Sequence, residues 1–180
     1  MKQLLTTLQR TWRRWRRMQH RCGYGIHSPF AFQLVTGVIY ETEAYYAFTS
    51  LHEQGAQWPS HLNERDNRLL FRLINHHQPT SCLLIGPHTS LTQQYLEAGC
   101  RHCRFWHIEQ TATSSTHPLA QHIREAEMLC LIGGEDRWEW AEQALQAEHP
   151  RRMIVISDID TEGGSRWKHL IKNKQVRMSF

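Results

Sequence analysis

Ser81-Cys-Leu-Leu-Ile-Gly-Pro-His-Thr-Ser90 is an apolar run that breaks at a single glycine, Gly86. Five consecutive residues without a charge read as a strand buried on both faces, the habit of a parallel sheet. A strand running into glycine is where α/β proteins bring backbone N–H groups close to a nucleotide-like ligand. Such loops need a second glycine, and Ser90 stands in its place. The stretch therefore reads as a ligand-binding turn with an altered loop.

Working outward, three more strands are expected at 104–109, 128–133 and 152–158, with helical patterns near 90–98, 118–126, 137–147 and 164–173. Strands alternating with helices at this spacing argue for βαβ units and a mostly parallel sheet. A further helix is expected from Asp66 to His77, stopping before Pro79. Residues 49–62 are polar, contain Gly55 and Pro59, and read as a loop; residues 176–180 read as a short final strand.

The 180 residues are one domain's worth of chain, with 40% hydrophobic and 21% charged residues, which is ordinary globular usage. No run approaches the roughly 18 apolar residues of a membrane-spanning helix, and no apolar stretch has the form of a secretory signal. The five cysteines are odd in number, and Cys82 and Cys130 lie inside apolar runs, which fits reduced core thiols in a cytoplasmic protein.

Charge is unevenly placed. The first 40 residues hold Lys2, Arg10, Arg13, Arg14, Arg16, Arg17 and Arg21 and no acid, which leaves −3 on the remainder of a chain with net charge +4. Residues 2–21 read as an amphipathic helix, with Leu4, Leu5, Leu8, Trp12, Trp15 and Met18 on one stripe roughly 140° wide. Three roles stay open for it: docking its apolar stripe on the core, binding nucleic-acid phosphates with tryptophan stacked on bases, or lying on an anionic membrane surface. After a glycine-containing hinge, Ser28-Pro29 is expected to cap and open a second helix that buries Phe30, Phe32, Leu34, Val35, Val38 and Ile39.

Gly25-Ile26-His27-Ser28-Pro29-Phe30, the Tyr45-Tyr46 pair and Leu69-Leu70-Phe71-Arg72-Leu73-Ile74-Asn75 together resemble a group of bacterial class I S-adenosylmethionine-dependent methyltransferases. The likeness runs unevenly over residues 20–180. It implies an α/β fold with a Rossmann-like methyltransferase sheet, mostly parallel, preceded by a helical N-terminal extension. The organisation expected is a basic extension and linker over 1–62 and a Rossmann-like domain over 63–180. The short interval from Glu109 to Met128 leaves open a truncated sheet without the family's third strand.

The resemblance also implies site residues. Gly86 matches the first glycine of the cofactor turn and Ser90 replaces the second. Leu84 stands where the family carries an acid that helps hold the cofactor's ammonium end, and Leu84 supplies no acceptor. Glu109, at the tip of the second strand, suits the ribose hydroxyls, as acids do at that position in dinucleotide folds. Gly133 stands where an aspartate is usual, and Ser157-Asp158 keeps one of two. Asp158 would orient a small-molecule acceptor; a metal site is not expected. His27, inside the family-like string, would close over a ligand or act as a base, or would pin the hinge by a hydrogen bond.

Cys100-Arg-His-Cys103 has no second Cys-x-x-Cys to complete a zinc site, and His76-His77 fit a helix end. The resemblance thus implies a methyltransferase-like protein whose cofactor loop is eroded, weak or inactive as an enzyme, with S-adenosylmethionine as the cofactor such a loop would hold. Two alternatives remain: an active small-molecule O-methyltransferase, and a binding module that uses the Arg/Trp helix on nucleic acid or an anionic membrane.

Overall fold

The computed structural model describes residues 27–55, 57–109, 117–147, 149–159, 164–173 and 176. The helix expected over 2–21, and all of the strand expected over 176–180 except Val176, lie outside them. The chain forms two compact units, Met1–Tyr45 and Tyr46–Phe180.

In the N-terminal unit, Ser28 caps helix α1 (Pro29–Leu34) by accepting the Ala31 N–H at 3.4 Å, with Pro29 in the first turn. The helix widens into a π-helical turn over Val35–Ile39, closed by the Tyr40 N–H on the Val35 carbonyl. Ala31, Leu34, Val35 and Val38 are buried, whereas Phe30 and Phe32 are 53% and 43% exposed. This corrects the expected burial of both phenylalanines. The buried set follows the i, i+3, i+4, i+7 stripe of a helix, and Phe30 and Phe32 flank that stripe by about 100° on either side.

The larger unit begins with α2 (Ala47–Gly55), where a loop was expected. Its polar composition hides two anchors, Phe48 and Leu51, both buried. Phe48 meets Phe71 edge-on at a ring separation of 5.0 Å and lies 6.2 Å from Tyr95. Burial of these aromatic faces stabilises a helix whose own periodicity is weak. α3 (Glu64–His77) starts where Asn63 accepts the Asp66 N–H at 2.9 Å and ends at left-handed Gln78, just before Pro79.

Four parallel strands follow: β1 (Ser81–Gly86), β2 (Arg104–Glu109), β3 (Met128–Leu131) and β4 (Met153–Ile156), in the order β2-β1-β3-β4. The last two are shorter than expected, because Ile132 and Ser157 already turn into loops. Helices α4 (Ser90–Gly99), α5 (His117–Glu125), α6 (Arg137–Gln146) and α7 (Gly164–Leu170) alternate with them. Among the described residues no strand lies between Glu109 and Met128, and β1 pairs directly with both β2 and β3.

Alternation along β1 builds two cores. Cys82 and Leu84 face Leu70, Ile74 and Leu96 of α3 and α4 on one side. Leu83 and Ile85 face Ile123, Ala141, Ala144 and Leu170 of α5, α6 and α7 on the other. Every residue of β1 and β3 is buried, as expected for central strands with helices on both faces. Cys82, Cys100, Cys103 and Cys130 are free thiols within or beside the first core, and burial pushes the Cys103 thiol well up. No group of three metal-ligating side chains occurs among the described residues. None of the described helices is long and apolar enough to cross a membrane.

The N-terminal edge of the sheet is tied by Glu127, whose carboxylate accepts the Thr80 N–H at 2.8 Å and the Thr80 hydroxyl at 3.0 Å. Burial pushes the Glu127 carboxyl up, but the Thr80 bonds, with His77 and Arg151 nearby, outweigh it and hold it below the usual range. A depressed carboxyl contributes stability that is present above its unfolded value, about 4.3, and lost as pH falls through the folded value. Glu127→Gln is therefore expected to cost about 1–2 kcal/mol at pH 7. Urea unfolding of both proteins should show that gap closing as pH is lowered towards 3.

Candidate functional site

In an open parallel sheet the ligand crevice lies beyond the carboxyl ends of the strands, where the strand order reverses. Here β1 sends its connections to β2 on one side, and the chain then crosses to β3 on the other, so the reversal lies between β1 and β3. The residues at that edge are Gly86-Pro87-His88-Thr89 after β1, Glu109 at the end of β2, Ile132-Gly133-Gly134 after β3 and Ser157-Asp158 after β4.

Backbone strain concentrates at this edge. His88 and Asp158 have φ of 50° and 56°, a left-handed conformation rare in non-glycine residues, and Gly133 and Gly134 have 59° and 73°. Such outliers persist where surrounding contacts over-determine them, and they recur at functional sites.

The contacts come from one short segment, residues 57–62, between α2 and α3. The His61 backbone N–H donates to the His88 carbonyl at 2.9 Å. The His61 ring pairs through Nε2 with Asp158 Oδ2 at 2.9 Å. Asp158 Oδ2 also accepts the Ser157 hydroxyl at 2.6 Å, and Ser157 Oγ accepts the Gly133 N–H at 2.8 Å. Arg137, the first residue of α6, donates to the Gly134 carbonyl and, at 3.4 Å, to the Asp158 carbonyl. The Ser157 bond lowers the Asp158 carboxyl, burial opposes it, and His61 and Arg137 add to the lowering. The carboxylate is thus ionised at neutral pH and holds three loops together.

The ring lies directly over the reversal point. A Cβ placed on Gly133 would stand 3.2 Å from His61 Cε1 and Nε2 and 3.3 Å from Pro87 Cδ. The segment is held from below by Asn67, fully buried on α3, which donates to Ser60 Oγ and the Leu62 carbonyl and accepts the Thr92 hydroxyl at 2.8 Å.

The predicted site residues take the following places. Gly86 closes β1 against Ile132, with no room for a side chain. Ser90 is the first residue of α4, half-buried, and the buried hydroxyl beside it belongs to Thr89. Thr89 donates to the Gly86 carbonyl at 3.2 Å and contacts His107 Nε2 at 2.7 Å. With the hydroxyl proton given to Gly86, His107 Nε2 must carry its own proton. Burial lowers the His107 pKa and favours that neutral ring. Glu109 is exposed and in register with Gly86. Asp158 lies three strand spacings from Glu109, about 14 Å. His27 belongs to the N-terminal unit, exposed, next to the Ser28 cap.

Sequence reasoning passed over His61, Thr89 and Arg137. The one usable signal was Asn63-x-x-Asp66, a helix start that brings His61 to the edge of the sheet. Two clefts, of about 310 Å³ and 380 Å³, are lined by residues of α6 and α7 and the turn after α7, the first from Trp138 and Ser165 to His169 and the second from Glu142 to Asn173. They carry none of the predicted residues.

Comparison with family models, with curated proteins and with solved structures finds no match for this chain.

Proposed function

We propose that this chain is a methyltransferase-like α/β protein with an eroded cofactor loop, weak or inactive in methyl transfer and acting by binding. The observation that carries this reading is the His61–Asp158 pair at the reversal point of the sheet. Asp158, the residue expected to orient a methyl acceptor, already serves Ser157, His61 and the loop after β3. The residues present do not fit S-adenosylmethionine. Leu84 is sealed in an apolar core and offers its ammonium nothing, and the His61 ring packs over the loops that would flank the methionine part. No catalytic step is therefore assigned. The basic segment 2–21 is the candidate binding element for a polyanion, nucleic acid or an anionic membrane.

One observation favours the active alternative. Glu109 keeps an exposed carboxylate at the tip of β2, in register with Gly86, where a ribose would be held. Calorimetric titration with S-adenosylmethionine and S-adenosylhomocysteine separates the two readings. The expected result is no binding at millimolar ligand to a folded chain. Micromolar binding that weakens by roughly 1–3 kcal/mol in Glu109→Ala would restore the enzyme reading.

A further inference from the structure

Charge and exposed apolar surface are zoned along the N-terminal unit, Met1–Tyr45. All of its Lys and Arg residues precede Cys22, from Cys22 to Tyr40 there is no Asp, Glu, Lys or Arg, and the first acid is Glu41. At helical spacing Arg10, Arg13, Arg14, Arg17 and Arg21 fall opposite the Leu/Trp stripe of residues 2–21. In the uncharged stretch, α1 and its π-helical turn bury Ala31, Leu34, Val35 and Val38 and leave Phe30 and Phe32 exposed. Between the two rings the outward face holds Pro29, Gln33 and Gly37, all exposed and uncharged. The Thr36 hydroxyl is turned back onto the Phe32 carbonyl at 2.7 Å. A single exposed aromatic is ordinary on a protein surface. Two beside an uncharged face, following a run of cations, mark an interaction surface.

We infer that residues 2–39 dock on an anionic lipid bilayer, with the arginines on headgroup phosphates and Phe30 and Phe32 sunk at the acyl boundary. The inference rests on the reading that this chain acts by binding through its basic segment, and it commits that segment to one partner. Two observations favour lipid over nucleic acid. A single strand stacks its bases on aromatic rings while cations beside them hold its phosphates. Here the spacing sets the tryptophans and the arginines on opposite sides, and Phe30 and Phe32 stand in a stretch without Lys or Arg. A bilayer surface suits that separation, because the apolar side sinks while long arginine stems reach back to the headgroups. None of the described helices is long and apolar enough to cross a bilayer, and the outward face of residues 29–39 suits a segment lying in its interface. Cations supply the attraction and rings supply the depth. Charge alone gives binding that salt abolishes, whereas buried rings leave a part that resists salt.

The test uses the full chain and vesicles of phosphatidylcholine, alone or mixed equally with phosphatidylglycerol, read by co-sedimentation. A Phe30→Ser, Phe32→Ser double variant removes both rings. Both are exposed, so its urea unfolding should match the wild type. Trp58→Ser is the control, since Trp58 is 45% exposed against 43% for Phe32 but belongs to the larger unit. The expected result is binding to mixed vesicles about tenfold tighter than to neutral ones, about a tenfold loss in the double variant, and no change in Trp58→Ser. Single-stranded oligothymidylate is the competing probe. Full retention of vesicle binding by the double variant overturns the insertion of α1, and so does complete release of the wild type by molar salt. Binding to oligothymidylate with none to vesicles overturns lipid as the partner and leaves the basic segment a polyanion binder. Binding to neither probe overturns the functional reading itself, and this inference with it.

Discussion

Gly86→Ala is expected to cost roughly 3–5 kcal/mol, enough to unfold much of the chain at ambient temperature. Two independent penalties meet at this position. The backbone φ is +155°, a region that L side chains rarely adopt, and a Cβ would stand 2.0 Å from the Ile132 carbonyl oxygen. That oxygen is backbone, and it cannot swing aside: Ile132 is tied by its N–H to the Ile85 carbonyl at 2.8 Å. Urea unfolding should show the midpoint falling by about 1–3 M relative to wild type. Gly37→Ala is the comparison, since nothing lies within 4 Å of its Cβ position, and it should change stability by less than about 1 kcal/mol. A Gly86→Ala protein as stable as wild type would mean that β1 and the loop after β3 do not approach as described. The glycine that first suggested a ligand loop is required by packing alone.

Arg152→Ala is the second large effect, about 3 kcal/mol. The guanidinium at the start of β4 donates to four carbonyls: Arg124 at 2.6 Å, Ala126 at 3.1 Å, Ala147 at 2.8 Å, and Ala144. These are the unpaired carbonyls at the carboxyl ends of α5 and α6, where a positive charge is also favoured by the helix dipoles. One side chain therefore caps two helices and fastens both to the sheet. Burial lowers the Arg152 pKa, yet the group stays charged because guanidinium is a very weak acid. Arg152→Lys should recover only part of the loss, since a single ammonium cannot span carbonyls of both helices. Thermal and urea denaturation of the three proteins decide the point, and a lysine variant equal to wild type would refute the double cap.

Much of the fold was legible because its signals are local. The four apolar runs mark the strands, and the 3.6-residue periodicity marks α3 to α7 within a few residues. Ser28 announces a helix start through its own side chain. The errors have the same origin. α2 was hidden because two buried side chains, Phe48 and Leu51, carry the helix against α3 and α4. Phe30 and Phe32 were placed inside because hydrophobicity alone does not say which stripe of α1 is covered.

The candidate site was legible only in outline. Gly86, Glu109 and Asp158 were named from the strand ends they match in the resemblance, and the structure places all three at or just beyond the carboxyl end of a strand. What each residue touches was not legible. His61 and Asp158 are 97 residues apart, and neither lies in a periodic pattern that predicts the other.

The amino-acid sequence by itself thus determined the alternation of strands and helices, the burial of β1, and the +7 charge of the first 40 residues. All of these follow from the order of apolar, polar and turn-forming residues along a short stretch of chain. Tertiary structure alone decided that Gly86 serves Ile132, that Arg152 closes two helices, and that His61 stands over the reversal point of the sheet. Those outcomes depend on hydrogen-bond geometry between groups brought together by folding, and such pairings leave no periodic trace in the residues that make them.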